Sequence, residues 1–253
     1  MSIYVRNTIK DFQRHLGVIQ DGAWGGVSQE ILEKNTCRIA LKPEYIEQLL
    51  DNVKSSKISR DDRRKSIIAI LDACNDMEFG PAKVKSAKNP LFVAYILATA
   101  LHETAYTMYP ISEYGKGKTR VYGKVFKNSK GFTYGIKNSR REAYDYSKYP
   151  HLYYGRGLVQ LTWFDNYEAM SKICGVDLVN NPEEANNPKY AARILVYGMI
   201  KGSFTGRSLS SYIKYGLNQD EFINARRIIN GTDRARDVSN HVYKFIDNMI
   251  LVG

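Results

Sequence analysis

Residues 91–101 of this 253-residue chain are apolar except for Thr99, and they run directly into His102-Glu103. A helix that is apolar on every face must be buried. This stretch therefore predicts a central core helix around which the rest of the protein packs. Its eleven residues are too few for a membrane span, which needs roughly 20. Pro90 suits the first turn, and the helical pattern is expected to continue to Tyr106.

Glu103 is the informative residue. A carboxyl group at the end of such a helix lies against apolar neighbours, and loss of water disfavours its charged form. A general acid that must hold its proton near neutral pH needs that environment. The competing reading is a buried glutamate neutralised by an arginine, because structural ion pairs perturb carboxylates too.

Several chemistries are excluded. A zinc protease needs a second histidine three residues after the glutamate, and Tyr106 stands there. No Gly-x-Ser-x-Gly elbow occurs, and Gly115-Lys116-Gly117 lacks the remainder of a phosphate loop. Cys37, Cys74 and Cys174 are far apart, odd in number and form no CxxC pair. They read as buried free thiols rather than as a disulfide framework or a zinc site. No metal or organic cofactor is expected.

The net charge of +11 favours an anionic partner. Lys and Arg read as scattered, with short clusters at residues 60–65 and 140–141. No nucleic-acid-binding motif accompanies the charge, so no nucleic-acid partner is expected. The N-terminus has neither an apolar h-region nor a small-residue cleavage site. Neither a secretory signal nor stable membrane insertion is expected, and nothing suggests more than a monomer.

Residues 5–16 read as a helix, with Ile9, Phe12 and Leu16 on one face and Gly17 as its C-cap. Asp21-Gly22 and Gly25-Gly26 mark turns. Ser28 is the expected cap of a second helix beginning near Gln29. Residues 38–60 read as a connector holding a short helix over 44–53. Residues 114–150 lack a period and read as a long loop or small sheet over a cleft, and loops of that length are usually functional. Thr232 or Asp233 is the expected cap of a last helix, with Val238, Val242, Phe245, Ile246, Met249 and Ile250 along one face.

Glycoside hydrolysis needs two carboxyl groups. Glu113 is the nearest partner for Glu103, provided that the chain turns at Pro110 and carries it across a cleft; Glu142 and Asp145 are weaker candidates. In the segment 153–163, Gln160 and Thr162 alternate with Val159, Leu161 and Trp163, as on a half-buried strand. Its polar face suits sugar hydroxyls or a positioned water, and equally a core strand with a satisfied glutamine.

Two resemblances then emerge. Phe12-Gln13-Arg14-His15-Leu16-Gly17, followed by Asp21-Gly22-Ala23-Trp24-Gly25-Gly26-Val27-Ser28, resembles the small helical peptidoglycan-binding module. That likeness implies a wall-binding role for Asp21, Trp24 and Gln13. Trp24 and Phe12 are equally readable as the core of a small unit. His102-Glu103-Thr104, the segment 153–162, Asn166-Tyr167 and Ala225-Arg226-Arg227-Ile228-Ile229-Asn230-Gly231 resemble glycoside hydrolase family 19, which holds plant-type chitinases and many phage endolysins.

The second resemblance implies a mostly α, lysozyme-like helical catalytic domain over residues 59–253. Residues 1–58 would form a small helical N-terminal binding domain plus connector. It implies Glu103 as general acid, Glu113 as the second carboxylate and Thr162 as the holder of the nucleophilic water. Gln160, Asn166 and Asn230 would contact substrate, with Tyr154 and Arg156 as cleft-wall residues. An inverting mechanism follows, with carboxyl groups about 6.5–9.5 Å apart. Binding module and positive charge together favour bacterial peptidoglycan as partner, cut in the manner of a muramidase by a phage-type endolysin. A chitinase of the same fold and a non-catalytic wall-binding protein are the alternatives. The expected setting is synthesis in the bacterial host cytoplasm and action at the periplasmic wall, after release by a holin-like partner.

Overall fold

The computed structural model describes residues 3–53, 57–76, 88–214 and 216–253. Its ten α-helices among these residues are α1 (Ile3–His15), α2 (Gly26–Lys34), α3 (Pro43–Asp51), α4 (Arg60–Asn75), α5 (Pro90–Glu103), α6 (Phe164–Cys174), α7 (Pro188–Lys201), α8 (Leu209–Tyr212), α9 (Gln219–Ala225) and α10 (Ala235–Asp247). The strands are short: β1 (Arg38–Leu41), β2 (Ile111–Ser112), β3 (Phe126–Lys127), β4 (Thr133–Ile136), β5 (Ala143–Asp145), β6 (Arg156–Gly157) and β7 (Met249–Val252). The fold is mostly α, in the lysozyme-like manner.

α5 is the axis. Every residue from Pro90 to Leu101 is buried. Asn89 starts the helix by accepting from the Leu91 and Phe92 amides at 2.9 and 3.3 Å, which satisfies donors that a helix start leaves open. α10 packs along it, with α7 and α4 on other sides. Val238, Val242, Phe245 and Ile246 of α10 are fully buried. All three cysteines are buried free thiols.

The final helix is shorter than its apolar spacing suggests. It stops at Asp247, and Met249 and Ile250 lie on β7 instead. β1 offers an open strand edge there, and the two pair antiparallel from Arg38 with Val252 to Leu41 with Met249. Its N-cap is Arg234, in a left-handed conformation, rather than Thr232 or Asp233.

At the N-terminus α1 ends as expected, with Gly17 left-handed behind it. α2 begins earlier than expected, at Gly26, so Ser28 lies inside the helix. Residues 3–53 do not stand apart from the remainder. α1 packs on α10 and β7, β1 pairs with the C-terminal strand, and Ile9, Phe12 and Trp24 share one hydrophobic core with α5 and α10. The segment expected as a loop or small sheet over 114–150 holds the three-stranded sheet β3-β4-β5.

Candidate active site

Glu103 is the last residue of α5. The helix was expected to reach Tyr106, but the chain turns immediately after Glu103. Ala105, Tyr106 and Met108 all adopt left-handed φ angles of 48°, 68° and 56°. Each such conformation costs an L-residue roughly 1–2 kcal/mol. The turn is paid for by its anchors: Thr104 Oγ1 donates to the Ala100 carbonyl at 2.7 Å and accepts from the Met108 amide at 2.9 Å. Reversal thus occurs before Pro110, where the sequence placed it.

The Glu103 side chain is 16% exposed, and its Oε1 lies 2.6 Å from Nη1 of Arg226, which is 2% exposed. The two atoms are in close contact without a directed hydrogen bond between them. Arg226 opens a 3-10 turn over Arg226–Ile228, and its Nε donates to the Asp233 carbonyl at 2.9 Å. Tyr95 lies close enough to feel both charges, and burial pushes its phenol well above the ordinary range. Arg226 was not singled out from sequence. An arginine between the core residues Phe222, Ala225 and Ile228 was the available signal.

After the turn, β2 pairs with β6, Ile111 opposite Gly157. This pairing delivers Glu113 to the segment at 153–162. The Glu113 amide donates to the Gly155 carbonyl at 2.7 Å. Its carboxylate accepts from the Gly155 amide at 3.1 Å and from the Tyr122 hydroxyl at 3.0 Å. Burial, and then the bond to Glu113, push the Tyr122 phenol up to about 12.

The segment read as an alternating strand is a tight turn. Arg156 bridges Leu161, and Gln160 and Trp163 have φ angles of 54° and 75°, which extended chain excludes. Gln160 Nε2 donates to the Ile111 carbonyl at 3.1 Å. A Cβ on Gly155 would sit 2.6 Å from Gln160 Oε1, so any side chain there would push Gln160 out of this position. Asn166 Nδ2 donates to the Thr162 carbonyl at 2.8 Å, tying α6 to the turn. Thr162 is half-buried, and its hydroxyl meets no partner among the described residues. Asn230 is exposed, one turn after Arg226, whose carbonyl accepts its amide at 3.0 Å.

Tyr154 and Arg156 are placed differently from the expected cleft wall. Both are buried. Arg156 donates to Glu183 Oε1 through Nε and Nη2 at 2.9 and 2.7 Å and to the Tyr167 hydroxyl at 3.0 Å. Its guanidinium stacks 3.6 Å over the Tyr154 ring, and the Tyr154 hydroxyl also donates to Glu183. With these faces occupied, the pair braces the site from behind.

Gln13, Asp21 and Trp24 likewise serve the interior of the N-terminal unit. Buried Gln13 donates to Asp21 Oδ1 at 2.7 Å and to the Ala23 carbonyl at 2.9 Å, and accepts from the Gly22 amide at 2.9 Å. Trp24 is buried edge-on to Phe12 and donates to Gln29 at 2.9 Å. The core reading of Trp24 and Phe12 describes their positions. Only Asp21 is exposed. A hollow of about 740 Å³ beside α4, α7 and β1 is lined by none of the candidate site residues.

Comparison with known proteins bears on this geometry. A family model for chitinase class I, glycoside hydrolase family 19, matches residues 47–197, more than half the chain and a span that includes Glu103, Glu113 and Thr162. Comparison with curated protein sequences finds no match. Among solved structures, chitinase C from Streptomyces griseus HUT6037 is 21% identical, with 82% of this chain and 76% of that chain covered and a TM-score of 0.50. A bacterial family 19 chitinase is 19% identical over 81% of this chain and 94% of that chain, with a TM-score of 0.42. The first likeness shows a shared fold.

Proposed function

The chain belongs to the chitinase class I family, glycoside hydrolase family 19, and from that premise we propose that it is a peptidoglycan hydrolase of the muramidase type, using Glu103 as general acid. The observation that carries this reading is the placement of Glu103 where α5 loses its cover, beside a buried arginine. Oε1 is buried against Arg226, which leaves Oε2 as the oxygen that carries the proton. When the glycosidic oxygen takes that proton, the Glu103 carboxylate left behind gains the Arg226 charge. An interaction that strengthens as the bond breaks lowers the barrier, whereas one equally strong throughout does not.

Glu113 is the base of this reading. Its two oxygens accept from Tyr122 and Gly155, which orients the carboxylate. The Thr162 hydroxyl orients the attacking water, which delivers its proton to Glu113 and its oxygen to the far face of the sugar. The product then has inverted configuration. Asn230 contacts substrate in this reading, and Gln160 and Asn166 act through the turn that they stabilise.

The wall as substrate is supported by the resemblance of residues 12–28 to a wall-binding module and by the positive charge of the chain. Ile19 and Val27, exposed on either side of that loop, offer it a contact surface that Gln13 and Trp24 do not. Residues 1–58 are proposed as this module and connector, residues 59–253 as the catalytic part. The enzyme acts as a monomer, as a phage-type lysin made in the host cytoplasm and released to the wall. The relatives named are chitinases, and the same carboxylates would serve neutral chitin. Mass analysis of products from purified Gram-negative peptidoglycan decides between them. New reducing N-acetylmuramic acid ends support the proposal. Intact peptidoglycan, with chitin oligomers cut instead, contradicts it.

A further inference from the structure

The positive charge of the protein is concentrated rather than scattered. Residues 114–141 contain nine Lys or Arg and no Asp or Glu, while the other 225 residues carry 28 basic and 26 acidic side chains. Of those nine, only Lys137 and Arg140 meet an acidic side chain at ion-pair distance among the described residues. Lys116, Lys118, Arg120, Lys124, Lys127 and Lys130 are all exposed.

This stretch is fastened to the candidate site. Tyr122 holds Glu113 at 3.0 Å and meets Trp163 edge-on with ring centroids 5.0 Å apart. A Cβ on Gly123 would stand 2.0 Å from the Gly117 carbonyl oxygen, so the two backbones touch. Asn138 donates to Asp165 at the start of α6 at 2.8 Å. The outer part is a formed hairpin. Asn128 accepts from the Lys130 and Phe132 amides at 3.0 Å each. Tyr134 stacks between Phe126 and Phe132, with centroids 5.5 and 6.2 Å away and planes within 24° and 9°. Phe132 is 43% exposed and Val125 41%.

Cations left without partners, set around exposed stacked rings beside a glycosidase site, have a specific complement. Sugar rings present C–H faces that pack on aromatic rings, and carboxylates neutralise lysines. We propose that this hairpin is a lip that binds an anionic glycan strand, one bearing carboxylates along its length, and so selects such a strand over a neutral one at the site. The inference deepens the proposed function and rests on it for the identity of the strand. Preformed geometry keeps the ordering cost of binding low.

The test measures binding and so does not depend on which bond is cut. Full-length Glu103→Gln protein is sedimented with purified sacculi, and with the same sacculi after their carboxyl groups have been amidated. Retention is expected to fall roughly tenfold or more on amidation, as charge-focused binding does, and to weaken with salt. Lys124→Gln/Lys127→Gln/Lys130→Gln in the same background should bind native sacculi as weakly as the parent binds amidated ones, with an unchanged melting temperature. A control, Lys34→Gln/Lys65→Gln/Lys201→Gln, has the same net charge and should keep full retention. Equal losses in both triple variants would overturn the proposal in favour of diffuse charge. Retention indifferent to amidation would also overturn it, as would capture by phosphatidylglycerol vesicles without carboxylate-dependent capture by sacculi. If the wild type cuts only chitin oligomers, the proposed function fails while this binding contrast stands or falls separately.

Discussion

Arg226 Nη1 stands 2.6 Å from Glu103 Oε1, where the burial of α5 gives out. A buried arginine with one carboxyl partner and one carbonyl partner fixes the position of that carboxyl group and meets the charge left on it when its proton departs. Arg226→Met is therefore predicted to reduce kcat by roughly 100-fold, the usual loss on deleting one charge-stabilising donor. Arg226→Lys should recover part of it. Steady-state kinetics on purified wall decides; a fully active Arg226→Met enzyme would remove Arg226 from the mechanism.

Tyr122 is predicted to position Glu113 rather than to stabilise the fold. Tyr122→Phe removes one partly buried hydrogen bond, worth about 1 kcal/mol in unfolding free energy. Loss of orientation should lower kcat about tenfold while KM changes little. Equal kcat in variant and wild type would show that Gly155 alone orients the carboxylate.

Much of this site was legible in the sequence, and the exceptions have physical reasons. The apolar run before Glu103 marked both the core helix and its charged end. The end itself was misplaced because Ala105, Tyr106 and Met108 carry no glycine signal for the left-handed turn that they make. The polar and apolar residues that alternate over 159–163 looked like a strand, and burial does alternate from Val159 to Thr162, yet Gln160 and Trp163 bend the chain with positive φ. Met249 and Ile250 continued a helical stripe, but the edge of β1 captured them, and pairing across more than 200 residues leaves no local trace. Arg156 was implied as a cleft-wall residue by the family resemblance alone, and its carboxylate partner, Glu183, lies in a later turn that no local pattern links to it.

Glu183→Gln separates brace from substrate contact. It removes the counter-charge of the buried Arg156 guanidinium, but Glu183 itself is 66% exposed and solvent screens the pair, so the cost should be about 1 kcal/mol in denaturant unfolding. The folded variant should keep the wild-type KM. A raised KM with unchanged stability would return Arg156 to the cleft.

Gly155→Ala is predicted to be worse for activity than its size suggests. The added methyl would meet Gln160 Oε1 at 2.6 Å, displacing the side chain that ties this turn to Ile111. Activity should fall at least about tenfold, with a melting temperature several degrees lower. Activity equal to wild type would mean that Gln160 swings away at no functional cost.

Stability should decline at both extremes of pH, in windows set by particular groups. Burial holds the Tyr45 and Tyr122 phenols up to about 12, above the ordinary 10. A raised folded-state value means that the unfolded chain loses its protons first. Stability is full below about pH 10 and falls as pH rises toward 12. Hydrogen bonds from Arg64 and then Arg60 hold Glu47 down to about 2, so its contribution is present above about 4.5 and fades as pH falls toward 2. Thermal melting across pH checks both limbs. In Glu47→Gln, the acid limb should be shallower; an identical limb would remove Glu47 from it.

Glu103→Gln tests the central claim most directly. The amide keeps the size and place of the carboxyl group but has no proton to give at the pH of catalysis. Hydrolysis of purified peptidoglycan, followed by release of soluble muropeptides, should fall at least about 1,000-fold, while sedimentation with the same sacculi persists. Turnover within about tenfold of wild type would contradict the account and move the general acid to another carboxyl group.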